Sequence, residues 1–203
     1  MKITEMFLTP NKYSRPQIPL KEVRKIAVHY VGNPMSTAKN NRDYFENLKN
    51  THARYVSAHF IIGLSGEVVQ CIPLNEWSYC TNQANGYSIS IECCHPDKTG
   101  KFNRETEESL IALCAYLCGK FGLSENDIIR HYDVTGKACP LWYVSHPEDF
   151  EAMKKAVGAM LSGESNKMYC VQAGAFSSRD NAERFLSEVR KNYPNAFIKE
   201  INT

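Results

Sequence analysis

The chain has 203 residues, 43% apolar and 23% charged, a composition that suits a folded globular protein and excludes a disordered one. Its net charge of +2 is too small to point to nucleic acid as a partner. No stretch approaches the roughly 20 apolar residues of a membrane span, and MKITEMFLTPNKYSR at the start lacks the apolar core of a signal peptide. The expectation is therefore a chain made in a cytoplasm without a signal peptide, not inserted in a membrane, and released by other means if it acts outside.

KIAVHYV (25–31) reads as a buried strand closed by Gly32. Ser36 stands where it can cap a helix whose Tyr44, Phe45 and Leu48 share one face. SAHFIIG (57–63) and EVVQCIP (67–73), joined by Leu64-Ser65-Gly66, predict a hairpin, and SISIECC (88–94) predicts a further strand. RETEESLIALCAYLCGKFG (104–122) is the clearest helix: acidic at its start, ended by Gly122, with Leu110, Cys114, Leu117, Cys118 and Phe121 at the helical period. Asp127 to His131 reads as a short strand, and Phe150, Met153, Val157, Met160 and Leu161 mark a last helix. Strands alternating with helices define an α/β fold over residues 1–161, with a mixed central sheet flanked by helices.

SGESNK (162–167) is a polar linker. Beyond it MYCVQAGAF, then SSRDNAERFLSEVRKN, then NAFIKEI predict a small βαβ unit over residues 168–203. Eight cysteines stand at 71, 80, 93, 94, 114, 118, 139 and 170. A cytosolic chain of this size needs no disulfides, so reduced thiols are expected throughout, with Cys114 and Cys118 acting as small apolar residues on a helix face.

One segment asks for chemistry. RHYDVTGKACP (130–140) holds His131, Lys137 and Cys139, with seven residues between the histidine and the cysteine. Zinc prefers nitrogen and thiolate ligands, and catalytic zinc sites use three protein ligands with one position left open. His131 and Cys139 supply two, and His29, at the end of a strand, is the best candidate for the third. Each has a plainer reading: a strand histidine is more often a satisfied core residue, this spacing alone is weakly specific, and a loop lysine is ordinarily just solvated.

IAVHYVG, VSAHFIIGLSGEVVQCIP, SISIECC and RHYDVTGKACP, in this order and spacing, resemble the zinc-dependent N-acetylmuramoyl-L-alanine amidases of phage lysins, relatives of the peptidoglycan recognition proteins. The resemblance covers roughly residues 20–160. It implies zinc on His29, His131 and Cys139, a catalytic acid/base at Glu92 and an oxyanion-stabilising group at Lys137. It also implies bacterial peptidoglycan as substrate, cut between N-acetylmuramic acid and L-alanine, with a phage or prophage endolysin as the expected setting. Another branch of the family has tyrosine before the strand histidine and lacks the glutamate; this chain has Ala58 before His59 and keeps Glu92. His59, Trp77, Tyr79 and Asn82 are carried as candidate substrate contacts; for His59 the alternatives are packing, support of a site residue or, less favoured, a metal ligand, and for Trp77 the alternative is the core. A module that binds wall peptides without cutting them and a host autolysin are the competing readings.

YCVQAGAF (169–176) resembles the signature of half of a SPOR repeat, a peptidoglycan-binding unit that normally contains two such halves. A lone unit of this length rarely folds without help. Residues 168–203 are therefore expected to pack on the first domain, stay loose or self-associate. Gly163-Glu164 can be encoded by a purine-rich string three codons ahead of Met168, which raises internal initiation at that methionine as an alternative to Met168 simply starting a strand.

Overall fold

A computed structural model describes residues 2–163, 173–193 and 196–198. The chain divides into two compact units, Met1–Ser165 and Asn166–Thr203. The first is built on a six-stranded mixed sheet in the order β1-β4-β3-β5-β2-β6. Its strands are β1 (Ile3–Glu5), β2 (Lys25–Tyr30), β3 (Phe60–Ile62), β4 (Val68–Gln70), β5 (Ser88–Cys93) and β6 (Ile128–Arg130). Only β3 and β4, the expected hairpin, run antiparallel; β5, β2 and β6 lie side by side and parallel.

Alternation along the strands sorts side chains to two faces. Ile26 and Val28 of β2 and Ile89, Ile91 and Cys93 of β5 enter one core. That core is closed by Leu110, Leu113, Cys114 and Leu117 of α2 (Arg104–Phe121) and by Phe150, Met153 and Val157 of α5 (Pro147–Leu161). Ile61 and Val69 turn to the opposite face, where Ala38, Phe45 and Leu48 of α1 (Ala38–Thr51) form a smaller core. The residues between the core positions of β2 and β5, among them His29, Ser90 and Glu92, are thereby turned to the α1 side.

Several local details differ from the sequence reading. Thr37, not Ser36, caps α1: its hydroxyl accepts from the Asn40 N–H, and Ser36 instead donates to the Asn33 carbonyl. Tyr44 is exposed, and the buried face of α1 is Ala38, Phe45 and Leu48. Met160 and Leu161 extend α5 past the last residue it buries, Val157. The β6 strand stops at Arg130, and His131 opens the short helix α3 (His131–Thr135); α4 (Leu141–Ser145) follows the loop. Strand β1 has no buried position and joins the sheet edge by pairing with β4, so it lacks the alternation that announces a strand.

Seven cysteines of the described residues are free and buried. In the second unit the helix α6 (Arg179–Val189) lies where the pattern predicts it. The strands expected around it, Met168 and Cys170 fall wholly or largely outside the described residues.

Gly66 closes the hairpin at φ +78°, a conformation that costs a side-chain-bearing residue about 1–3 kcal/mol. A Cβ there would also stand 2.8 Å from the Glu105 carbonyl oxygen of α2. Gly66→Ala should lower stability by at least that range, read as a reduced urea midpoint with unchanged slope.

Candidate metal and catalytic site

The site forms where the carboxyl ends of three parallel strands meet, the place where open α/β sheets ordinarily bind ligands. His29 of β2 and Glu92 of β5 are direct partners across the pair. His131 follows β6 immediately, and the loop after α3 doubles back so that the Tyr132 N–H donates to the Cys139 carbonyl at 3.0 Å. That closure lets a segment with seven intervening residues present both ends at one point. Arg130 braces it from behind, its guanidinium 2.7 Å from Asp133 and 2.9 Å from the Tyr143 carbonyl.

His29, His131 and Cys139 are buried, and one donor atom from each lies within 4.8 Å of the others. Cys139 Sγ is 3.7 Å from His29 Nδ1, and the two imidazoles meet edge to face with centroids 4.7 Å apart. The Nε2 atoms are engaged elsewhere, His29 with Thr81 Oγ1 and His131 with Asn82 Oδ1, both at 3.0 Å. An amide oxygen only accepts, so His131 carries its proton on Nε2 and keeps the Nδ1 lone pair free. Orientation of ligand imidazoles by a hydrogen bond to the far nitrogen is the usual arrangement around a bound metal.

The electrostatics suit a cation. Burial holds His29 well below its ordinary pKa, with His131 and Lys137 adding to the effect, so its ring is neutral. His131 is lowered too, by burial and by Lys137. Burial pushes the Cys139 thiol up to about 12, with Glu92 contributing. Two neutral imidazoles and a thiol held back only by burial and a neighbouring carboxylate are a donor set that a thiophilic divalent ion completes.

Glu92 is the second feature. Burial raises its carboxyl to about 7, against the opposing pull of Cys80 and Lys137. Cys80 Sγ stands 3.6 Å from Oε1, and Oε2 is out of contact with solvent and without a hydrogen-bond partner. Lys137 is exposed on the loop, and its charge acts on His29, His131, Glu92 and Cys139.

The structure thus gathers His29, Glu92, His131, Lys137 and Cys139, and it adds Asn82 as the partner of His131. His59 is not presented to a substrate. It is wholly buried, with Nε2 2.8 Å from the Glu76 carbonyl and Nδ1 accepting from the Ser90 N–H, and burial lowers it to about 4. Trp77 packs against the larger core, its ring resting on Gly86. Tyr79 is half-buried, with Tyr55 against it edge to face. The contacts from Cys80 and Thr81 carried no signal in the sequence, because each joins residues 12 or 52 positions apart through an irregular loop.

The mixed α/β sheet thus carries a two-histidine, one-cysteine donor cluster beside the half-buried Glu92, a set of side chains that suits a metal ion. Residues 19–142 match the family profile described as N-acetylmuramoyl-L-alanine amidase, and residues 165–203 match the SPOR domain. The chain belongs to the N-acetylmuramoyl-L-alanine amidase family. It is 37% identical over 183 residues to the N-acetylmuramoyl-L-alanine amidase BlyA of Bacillus subtilis (strain 168), covering 80% of this chain and 48% of that protein. It is 35% identical over 178 residues to the amidase CwlL of Bacillus licheniformis, covering 81% and 49%. The chain therefore spans about half the length of these curated relatives. The catalytic domain of XlyA shares the fold with a TM-score of 0.66 at 22% identity, over 78% of this chain and 100% of that one. PlyL does so with a TM-score of 0.67 at 22% identity, over 77% and 97%.

The raised Glu92 has a consequence for stability. Between about pH 4.5 and about 7 the unfolded chain releases this proton while the folded chain keeps it, so stability falls as pH rises. In chelator-treated protein, the difference between wild type and Glu92→Gln in urea unfolding should show wild type losing ground from about pH 5 to about pH 8.

Proposed function

We propose that this chain hydrolyses the amide bond between N-acetylmuramic acid and L-alanine in bacterial peptidoglycan, as a phage or prophage endolysin. The observation that carries the reading is Glu92: a carboxyl with one buried, unpartnered oxygen, opposite His29 in a parallel strand pair and beside a cluster of two histidines and a cysteine. His29, His131 and Cys139 are the residues that would hold zinc. When bound, zinc supplies the positive charge that polarises a carbonyl and brings the pKa of a water near neutrality.

The other steps belong to the chain. Glu92, poised near neutral pH, accepts the proton of the attacking water and hands it to the departing amine of L-alanine. Lys137, exposed yet electrostatically coupled to every group of the site, faces the charge that develops on the lactyl carbonyl oxygen. Thr81 and Asn82 hold the two imidazoles by their outer nitrogens. Retention of Cys139 and Glu92 favours cutting over simple recognition of wall peptides. No helix of the described residues is long and apolar enough to cross a membrane, and the substrate is a wall polymer. Residues 168–203 serve attachment to that polymer, alone or by pairing with a second copy.

Mass analysis of digested walls tests the bond assignment: new N-terminal L-alanine should appear without new reducing sugar ends. Chelation should abolish lysis and zinc restore it, while His131→Ala and Cys139→Ser each lose metal and activity together. Glu92→Gln should keep the metal and lose most turnover, since an amide cannot accept the proton. Lys137→Ala should lower the rate on the order of 10²–10³-fold with metal retained, as for a lost oxyanion donor.

A further inference from the structure

Three consecutive residues each touch a different member of the site. The Cys80 thiol donates to Glu92 Oε1 at 3.6 Å, Thr81 Oγ1 meets His29 Nε2 at 3.0 Å, and Asn82 Oδ1 meets His131 Nε2 at 3.0 Å. The thiol is a donor here because burial keeps it protonated. Engaging Oε1 leaves Oε2 as the oxygen that is free to work. The other two contacts engage the outer nitrogen of each imidazole, and the Asn82 oxygen, which only accepts, holds the His131 proton there and leaves the inner nitrogen as ligand.

Such a segment has no regular structure of its own to fix it. Asn82 sits at φ +51°, a left-handed turn that asparagine tolerates better than other side-chain-bearing residues, and a single turn of 3₁₀ helix follows over Asn82–Ala84. Asn85 holds the loop from within, beside the Ala84 N–H bond to the Thr81 carbonyl at 3.0 Å. Asn85 Oδ1 accepts the Cys80 N–H at 3.1 Å and the Thr81 N–H at 2.7 Å, while the Asn85 N–H donates to the Asn82 carbonyl at 3.1 Å. The segment is tied to the sheet by Ser78, whose hydroxyl lies 2.7 Å from that of Ser90 on β5, two residues before Glu92.

We infer that Asn85 is a positioning residue: its side-chain oxygen holds the 80–82 segment as one strap, which aligns Glu92, His29 and His131 together. Asn85 hydrogen-bonds Cys80, Thr81 and Asn82 rather than those three side chains, and acts through that segment. Zinc affinity and turnover are therefore coupled through a residue that is neither ligand nor acid/base. The inference rests on the amidase reading for its rate readout and is independent of it for its metal readout.

The test compares Asn85→Leu, which removes the acceptor, with Asn85→Asp, which keeps it. Zinc affinity is measured by competition with a chromogenic chelator, and kcat and KM on a soluble muramoyl-peptide at saturating zinc. Asn85→Leu should weaken zinc binding about 10–100-fold, as loss of outer-shell support does. Its kcat should fall on the order of tenfold to a hundredfold with KM little changed, the signature of misaligned groups. Asn85→Asp should recover most of both. A folded Asn85→Leu with wild-type zinc affinity overturns the inference, as does an Asn85→Asp equally impaired in both readouts. If Asn85→Leu does not fold, Thr81→Val decides: its zinc affinity should drop in the same range, and an unchanged value rejects the strap. A wild-type chain that binds zinc as described but cleaves no muramoyl-peptide would count against the amidase reading and leave the zinc comparison standing.

Discussion

The parallel pairing of β2 with β5 is the constraint on which the site depends. It sets His29 directly opposite Glu92, with both turned away from the helices α2 and α5 that close the larger core. Because side chains alternate along a strand, a slip of one residue would exchange faces. It would send Ile91 or Cys93 towards the site and bury Glu92 among leucines. The apolar face of β5, packed on α2, therefore fixes the register as well as the fold. A metal ligand and an acid/base can stand side by side only because the hydrophobic pattern one residue out of phase holds them there.

The donors are arranged against their own charges. A buried thiol beside a carboxylate resists ionisation, and burial holds the carboxylate itself near neutrality. Neutral imidazoles next to them complete a set that gains most from a divalent cation. Lys137 adds a fixed positive charge from the solvent side without occupying the cluster. A metal held there would displace the Cys139 proton, which would tie metal affinity to pH.

Much of this was legible in the residues. SISIECC carries its strand signal in its own alternation, and the helix at 104–122 carries acidic start, apolar stripe and glycine stop together. His131 and Cys139 could be joined because loop length bounds their separation. What could not be read is what lies across the fold. Thr81 meets His29 from 52 positions away, and Cys80 reaches Glu92 through a loop with no period. His59 and Trp77 were legible only as alternatives, groove contact or packing, because a histidine and a tryptophan near a site fit both. Their fates were decided by packing: the buried imidazole is held by Ser90 and the Glu76 carbonyl, and Gly86 gives the indole room against the core. Strand β1, three residues without a buried position, had no pattern to show.

We propose that one ion sits between His29, His131 and Cys139 while Glu92 stays free to move protons. His29 belongs also to a second donor group, with Cys80 and Glu92. Anomalous diffraction from zinc-loaded crystals of the full chain, collected at the zinc absorption edge, distinguishes the two directly. A single peak bonded to His29, His131 and Cys139, with both Glu92 oxygens outside bonding distance, is the predicted result. A peak bonded to Glu92 and Cys80 would contradict the account, since the group assigned to proton transfer would then be a ligand.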